Sequence, residues 1–122
     1  MPLSERFVRL ASDAKTRVRE VSPAEARDLH SSGALLIDVR ETEEFAKEHA
    51  AGAIHLSKGV LEMKIEQSAP ELDKPIICYC GGGSRSALAA DSLQRMGYTH
   101  VASLAGGLKA WKEQGLEVET RS

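Results

Sequence analysis

Residues 76–86 read IICYCGGGSRS. The opening IICY is apolar and led by two β-branched isoleucines, which makes it the strongest strand signal in the chain. Three glycines follow Cys80. From Ser84 the sequence favours a helix to Met96, with Leu88 or Ala89, Leu93 and Met96 on one stripe and Gly97 placed to stop it. A strand, a glycine loop and a helix in that order form one step of a parallel sheet, and ligands in such sheets bind beyond the carboxyl ends of the strands. Cys80 falls at that edge.

The rest of the chain repeats the alternation. Downstream, VASL (101–104) reads as a strand, and Ala105-Gly106-Gly107 turns the chain into LKAWKEQ, a short helix closed by Gly115. Upstream, LLIDV (35–39) is an apolar run broken only by Asp38, the pattern of a strand buried on both faces, and AIHL (53–56) is a weaker strand. Ser22 can cap a helix with Pro23 at its first position, Glu25 completing a capping box and Gly33 ending it. Thr42–Glu48 reads as a short polar helix anchored by Phe45. Residues 60–67 carry apolar side chains at 61, 63 and 65, but a composition that favours helix, and both readings stay open. Near the start, Phe7, Leu10 and Ala14 recur at i, i+3 and i+7, so Ser4–Arg17 is expected to be an amphipathic helix packed on the body. The expected fold class is α/β, a central, mostly parallel sheet with helices on both faces.

At 122 residues the chain suits one ordinary domain that can bury roughly two-thirds of its unfolded surface. There is no internal repeat, linker or low-complexity tract. The expected organisation is a helical extension over residues 1–17 followed by a domain over 18–122. The N-terminal MPLSERFVRLASDAKTRVRE lacks the apolar core of a signal peptide, and nothing approaches the roughly 20 apolar residues that cross a bilayer. Cys78 and Cys80, two residues apart, would make a strained disulfide, which points to a reducing compartment; the expectation is a cytoplasmic protein. A net charge of −2, from 16 basic and 18 acidic side chains, gives no global field for nucleic acid or membrane, so neither is expected as a partner.

Any anion site must therefore be local, and the glycine loop supplies one. Gly81, Gly82 and Gly83 allow successive backbone N–H groups to turn toward one centre, a helix N-terminus adds partial positive charge, and Arg85 adds a full one. Such surroundings favour thiolate over thiol and can lower a cysteine pKa from about 8.5 by one to several units. Cys80 is the candidate nucleophile, with Gly81, Gly82, Gly83, Ser84 and Arg85 as its binding loop. Cys78 reads as a small core residue. No second Cys/His pair stands at metal-site spacing, so neither metal nor cofactor is expected, and the Gly-Lys-Ser/Thr ending of a nucleotide phosphate loop is missing. Asp38 and Arg40 share the edge with Cys80 and are read as loop-fixing groups; Trp111 is read as packing beneath the loop.

Three blocks, IDVRETEEFAKEHAAGAIHL (37–56), CGGGSRS (80–86) and LAGGLKAWKEQG (104–115), resemble in order and content a single-domain rhodanese, a sulfurtransferase module, over about residues 18–119. One departure is His49-Ala50-Ala51, where members of that family often carry Gly-His-Ile. The resemblance implies a rhodanese-like three-layer fold and transfer of sulfane sulfur from thiosulfate or a related donor to cyanide or a thiol, through a Cys80 persulfide. Thioredoxin or another protein thiol is among the acceptors it implies. Arg85 is assigned to the anionic part of the donor, an ion pair bracing the loop being its other use. The same fold serves a cysteine phosphatase family with one more residue between Cys and Arg than the four here, and rhodanese-like modules also occur as inactive interaction domains; these are the alternatives.

Overall fold

The computed structural model describes residues 3–120; Met1, Pro2, Arg121 and Ser122, at the outer ends of the two expected segments, lie outside the described residues. The elements run α1 (Glu5–Lys15), β1 (Arg19–Val21), α2 (Pro23–Ser31), β2 (Leu35–Asp38), α3 (Thr42–Lys47), β3 (His49–Ala50), β4 (Ile54–His55), α4 (Leu61–Ser68), β5 (Ile76–Tyr79), α5 (Ser84–Arg95), β6 (Val101–Leu104), α6 (Gly107–Glu113) and β7 (Val118–Glu119).

Five strands form one sheet in the order β1-β6-β5-β2-β4, every neighbouring pair parallel, as the alternation of strand and helix requires. IICY is the middle strand, with Ile77 opposite Leu36 on one side and Ala102 on the other. Successive residues divide between two cores because side chains alternate across a sheet. Ile76 and Cys78 meet Leu61 and Ile65 of α4 and Ala89, Ala90 and Leu93 of α5. Ile77 and Tyr79 meet Ala26 of α2 and Leu108 and Trp111 of α6. The central sheet thus has helices on both faces, as expected.

Four details depart from or complete the sequence reading. Residues 61–68 are helical, and the side chains that go inside are Leu61 and Ile65, four apart, while Met63 stays 73% exposed. In α1 the packed face is Phe7, Ala11 and Ala14; Leu10 is 57% exposed. Helix α1 lies along α5, and close approach of two helices favours alanine over leucine at the contact. β1, with Val21 as its one apolar residue, and the antiparallel pair of β3 with β7 are too short to carry a periodic signal. No helix among the described residues is long and apolar enough to cross a membrane.

Candidate active site

β5 ends at Tyr79 and α5 begins at Ser84, so Cys80 to Gly83 must reverse direction within four residues. Gly83 makes the turn with φ +107° and forms the N-terminal boundary of α5. That conformation aims Gly83 N–H back at Cys80, donating to Sγ at 3.1 Å; Ser86 N–H, in the first turn of α5, donates at 3.4 Å. Ser86 Oγ lies 3.5 Å from Sγ and 2.8 Å from Ser103 Oγ on β6. When Cys80 is a thiolate it can only accept, so the Ser86 hydroxyl then donates to sulfur and accepts from Ser103.

The loop is fastened from behind by α6. Leu108 N–H donates to the Cys80 carbonyl at 2.8 Å and Lys109 N–H to the Gly81 carbonyl at 3.2 Å. This brings Gly107 so near that a Cβ there would stand 2.5 Å from Cys80 O and 2.6 Å from the carbonyl carbon and oxygen of Gly81. Trp111, 3% exposed in the core below, holds α6 in place and donates its Nε1–H to Glu117 O at 2.8 Å.

Cys80 is 1% exposed. Burial, the largest single influence, would raise its pKa, yet the Ser86 hydroxyl and the amides of Ser86, Gly83 and Gly82 together outweigh it and bring the thiol below its ordinary value. Cys78, two residues earlier on the same strand, has burial without donors and is pushed up to about 12. The two thiols share a core, and Cys80 alone has the Ser86 hydroxyl and the loop amides around its sulfur. Both are free.

Arg85 does not touch the sulfur. Its Nη1 and Nη2 donate to Glu44 Oε1 and Oε2 at 2.9 and 3.2 Å, and the Arg85 guanidinium in turn holds the Glu44 carboxyl down to about 2. Asp38 and Arg40 form a buried, bidentate pair: Arg40 Nε donates to Oδ1 and Oδ2 at 3.0 and 3.1 Å, and Nη2 donates to Oδ2 at 2.8 Å and to Glu48 O at 2.7 Å. They join β2 to the end of α3, the bracing use expected of them. Phe45 is buried and stacks on His49 and His55 with ring centroids 3.8 and 4.8 Å away.

Cys80, Gly82, Ser84 and Arg85 line one cavity of about 200 Å³ at the carboxyl edge of the sheet. Gly81 turns its carbonyl toward α6; the amides of Gly83 and Ser86 bond to the sulfur at 3.1 and 3.4 Å, and the Gly82 amide adds to the same field. Sequence reasoning did not assign Ser86, Ser103, Glu44 or Gly107 to the site. Ser86 was present in the motif itself, the residue after Arg85; the other three come from distant elements.

The Rhodanese-like domain family model matches residues 22–114. The thiosulfate sulfurtransferase GlpE of Ectopseudomonas mendocina (strain ymp) is 36% identical over 94 residues, 77% of this chain and 84% of the relative. Among solved structures, a Rhodopseudomonas palustris protein of unknown function, described as a possible tyrosine phosphatase, superposes with a TM-score of 0.81 at 32% identity, covering 98% of this chain and 99% of that one. The polysulfide-sulfur transferase homodimer of Wolinella succinogenes superposes with a TM-score of 0.82 at 30% identity, covering 96% and 89%. With a family match over most of its length and a curated sulfurtransferase above 30% identity, the chain belongs to the rhodanese-like domain family, as a sulfurtransferase.

Proposed function

We propose that the protein moves sulfane sulfur from thiosulfate or a related donor to a thiophilic acceptor through a persulfide on Cys80. The observation that carries this reading is the sulfur of Cys80 under the amides of Gly83 and Ser86, with its pKa lowered in spite of burial. The Cys80 thiolate bonds to the outer sulfur of thiosulfate, the sulfur–sulfur bond of the donor breaks, and its electron pair leaves with sulfite. The terminal sulfur of the resulting persulfide carries the negative charge, which the loop's amide donors and the N-terminus of α5 would stabilise as they stabilise the thiolate. Cyanide or a thiolate then attacks that sulfur, the bond to Sγ breaks, and the Cys80 thiolate returns.

In this proposal Cys80 is the catalytic residue and Gly81, Gly82, Gly83, Ser84 and Arg85 form the substrate loop. Residues 1–17 are the helical extension and 18–122 the rhodanese-like domain. The protein works in the cytoplasm, and thioredoxin or another protein thiol is an acceptor alongside small thiols. The GlpE relative, named for thiosulfate, supports that donor, and the Wolinella succinogenes protein, named for polysulfide, supports a second. The phosphatase description of the Rhodopseudomonas palustris neighbour favours a second reading, but the four residues between Cys80 and Arg85 make a ring suited to one sulfur atom rather than a tetrahedral phosphate. Incubation with thiosulfate is expected to add the mass of one sulfur to the protein and cyanide to remove it as thiocyanate; a protein that gains no mass and forms no thiocyanate is instead an interaction module.

Arg85 gives a finer test. Its head group is about a third exposed and already paired with Glu44, so its hold on a donor is worth about 1 kcal/mol, roughly a fivefold rise in KM for thiosulfate in Arg85→Ala with little change in kcat. Steady-state kinetics check this, and an unchanged KM means the arginine only braces the loop against α3.

A further inference from the structure

The cavity above Cys80 has a wall that the family match does not include. Leu3 and Phe7 line it, and both precede residue 22, where the match begins. The path of α1 places them there. Ser4 caps the helix by accepting Phe7 N–H at 3.1 Å, and Ala11 and Ala14 are buried in the contact with α5. At the far end Arg17 grips Asp91 of α5 at 3.1 and 2.9 Å, while Gln94 donates to Arg17 O at 3.0 Å. The two helices therefore run side by side in the same direction. The first turn of α1 arrives beside the first turn of α5, where the cysteine loop ends.

The chemistry of that mouth is lopsided. Leu3 is 60% exposed at its rim and Phe7 is half-buried, so one side is hydrocarbon. The one cation in the lining, Arg85, is already balanced by Glu44. A compact dianion with hydrated oxygens loses water against leucine and phenylalanine and finds its one cation partly neutralised, which is unfavourable. Inorganic polysulfide is a dianion too, but its charge rests on a chain of large, polarizable, weakly hydrated sulfur atoms, whose inner members pack against an aromatic ring as a thioether does.

We propose that Leu3 and Phe7 determine donor specificity, selecting inorganic polysulfide, in which the transferable sulfur ends a chain of sulfur atoms, over thiosulfate. This rests on the Cys80 persulfide reading. With tetrasulfide, the Cys80 thiolate bonds to the outer sulfur, the adjacent sulfur–sulfur bond breaks, and its electron pair leaves on trisulfide dianion. The persulfide anion remains on the protein, and the step consumes no oxidant, reductant or proton.

The test measures the second-order rate of persulfide formation, by rapid alkylation and intact mass, with sodium tetrasulfide and with thiosulfate. The proteins are wild type, Leu3→Ala, Phe7→Ala, the double variant and Phe7→Leu, with Cys80→Ala as the blank. In the double variant the ratio of the tetrasulfide rate to the thiosulfate rate is expected to fall about tenfold, the loss of about 1.4 kcal/mol of apolar contact, with most of the change in the tetrasulfide arm. Phe7→Leu is expected to keep most of the ratio. Ala11, Ala14 and Arg17 are left intact to hold α1, and circular dichroism checks its helicity. A ratio within twofold of wild type, whether both rates fall together or neither moves, overturns the specificity role and leaves the persulfide reading standing. Wild type that loads from neither donor overturns both.

Discussion

Cys80→Ala is expected to fold normally and to take no sulfur from thiosulfate, with thiocyanate production falling to the uncatalysed background, a loss on the order of 10⁴-fold or more. No other group can substitute. Cys78 is the one other thiol in the chain, and it is fully buried, with its pKa pushed up to about 12, so almost no thiolate forms there at neutral pH. Removing one sulfur from a buried position costs about 1 kcal/mol of stability, small beside a typical domain stability of about 5–15 kcal/mol. The checks are intact mass after incubation with thiosulfate, and thermal unfolding to show that the variant is folded. Sulfur uptake equal to wild type would remove Cys80 from the chemistry.

Gly107→Ala is expected to cripple transfer although residue 107 contributes no side chain to the cavity. At φ +59° an alanine is strained by about 1–2 kcal/mol, and its Cβ would collide with the backbone of Cys80 and Gly81 rather than with a side chain that could swing aside. Relief requires the loop and α6 to separate, which breaks the Leu108 and Lys109 hydrogen bonds and carries the amides of Gly83 and Ser86 off the sulfur. A displacement of about 1 Å at such a centre costs roughly 10²-fold in rate, and overpacking adds about 1–3 kcal/mol of destabilisation. Gly59→Ala is the control: a Cβ there meets nothing within 4 Å and the backbone does not have a positive φ. Loading rates and unfolding midpoints of the two variants should differ sharply. If Gly107→Ala loads at the wild-type rate, α6 does not set the loop.

What could be read from the sequence was what lies within one element. Residues 76–86 carried the strand, the turn and the helix start on consecutive positions, so the place of Cys80 at the sheet edge followed directly. The Asp38–Arg40 brace was also legible, because the two residues are neighbours on one strand end. Contacts across elements were not. Ser103 stands 17 residues from Ser86 and Glu44 stands 41 from Arg85, and no local pattern announces that the sheet brings them together. Within α1, hydrophobicity favoured Leu10, whereas the helix–helix contact selected Ala11 for its size. The amide ring also reaches further than the glycines: a run of glycines suggested donors throughout residues 81–85, and Gly83 does donate to the sulfur, but the helix that starts at Ser84 adds the Ser86 amide, which no glycine pattern announces.

Everything in the proposed chemistry depends on a thiolate at Cys80 near neutral pH. The most direct measurement is the rate of Cys80 alkylation as a function of pH, uncluttered by Cys78, whose thiol ionises only near 12. A lowered pKa means that the rate reaches its half-maximal value below the ordinary cysteine value of about 8.5. A half-maximum at or above about 8.5 would mean that the amides and the Ser86 hydroxyl do not offset burial, and would contradict the account.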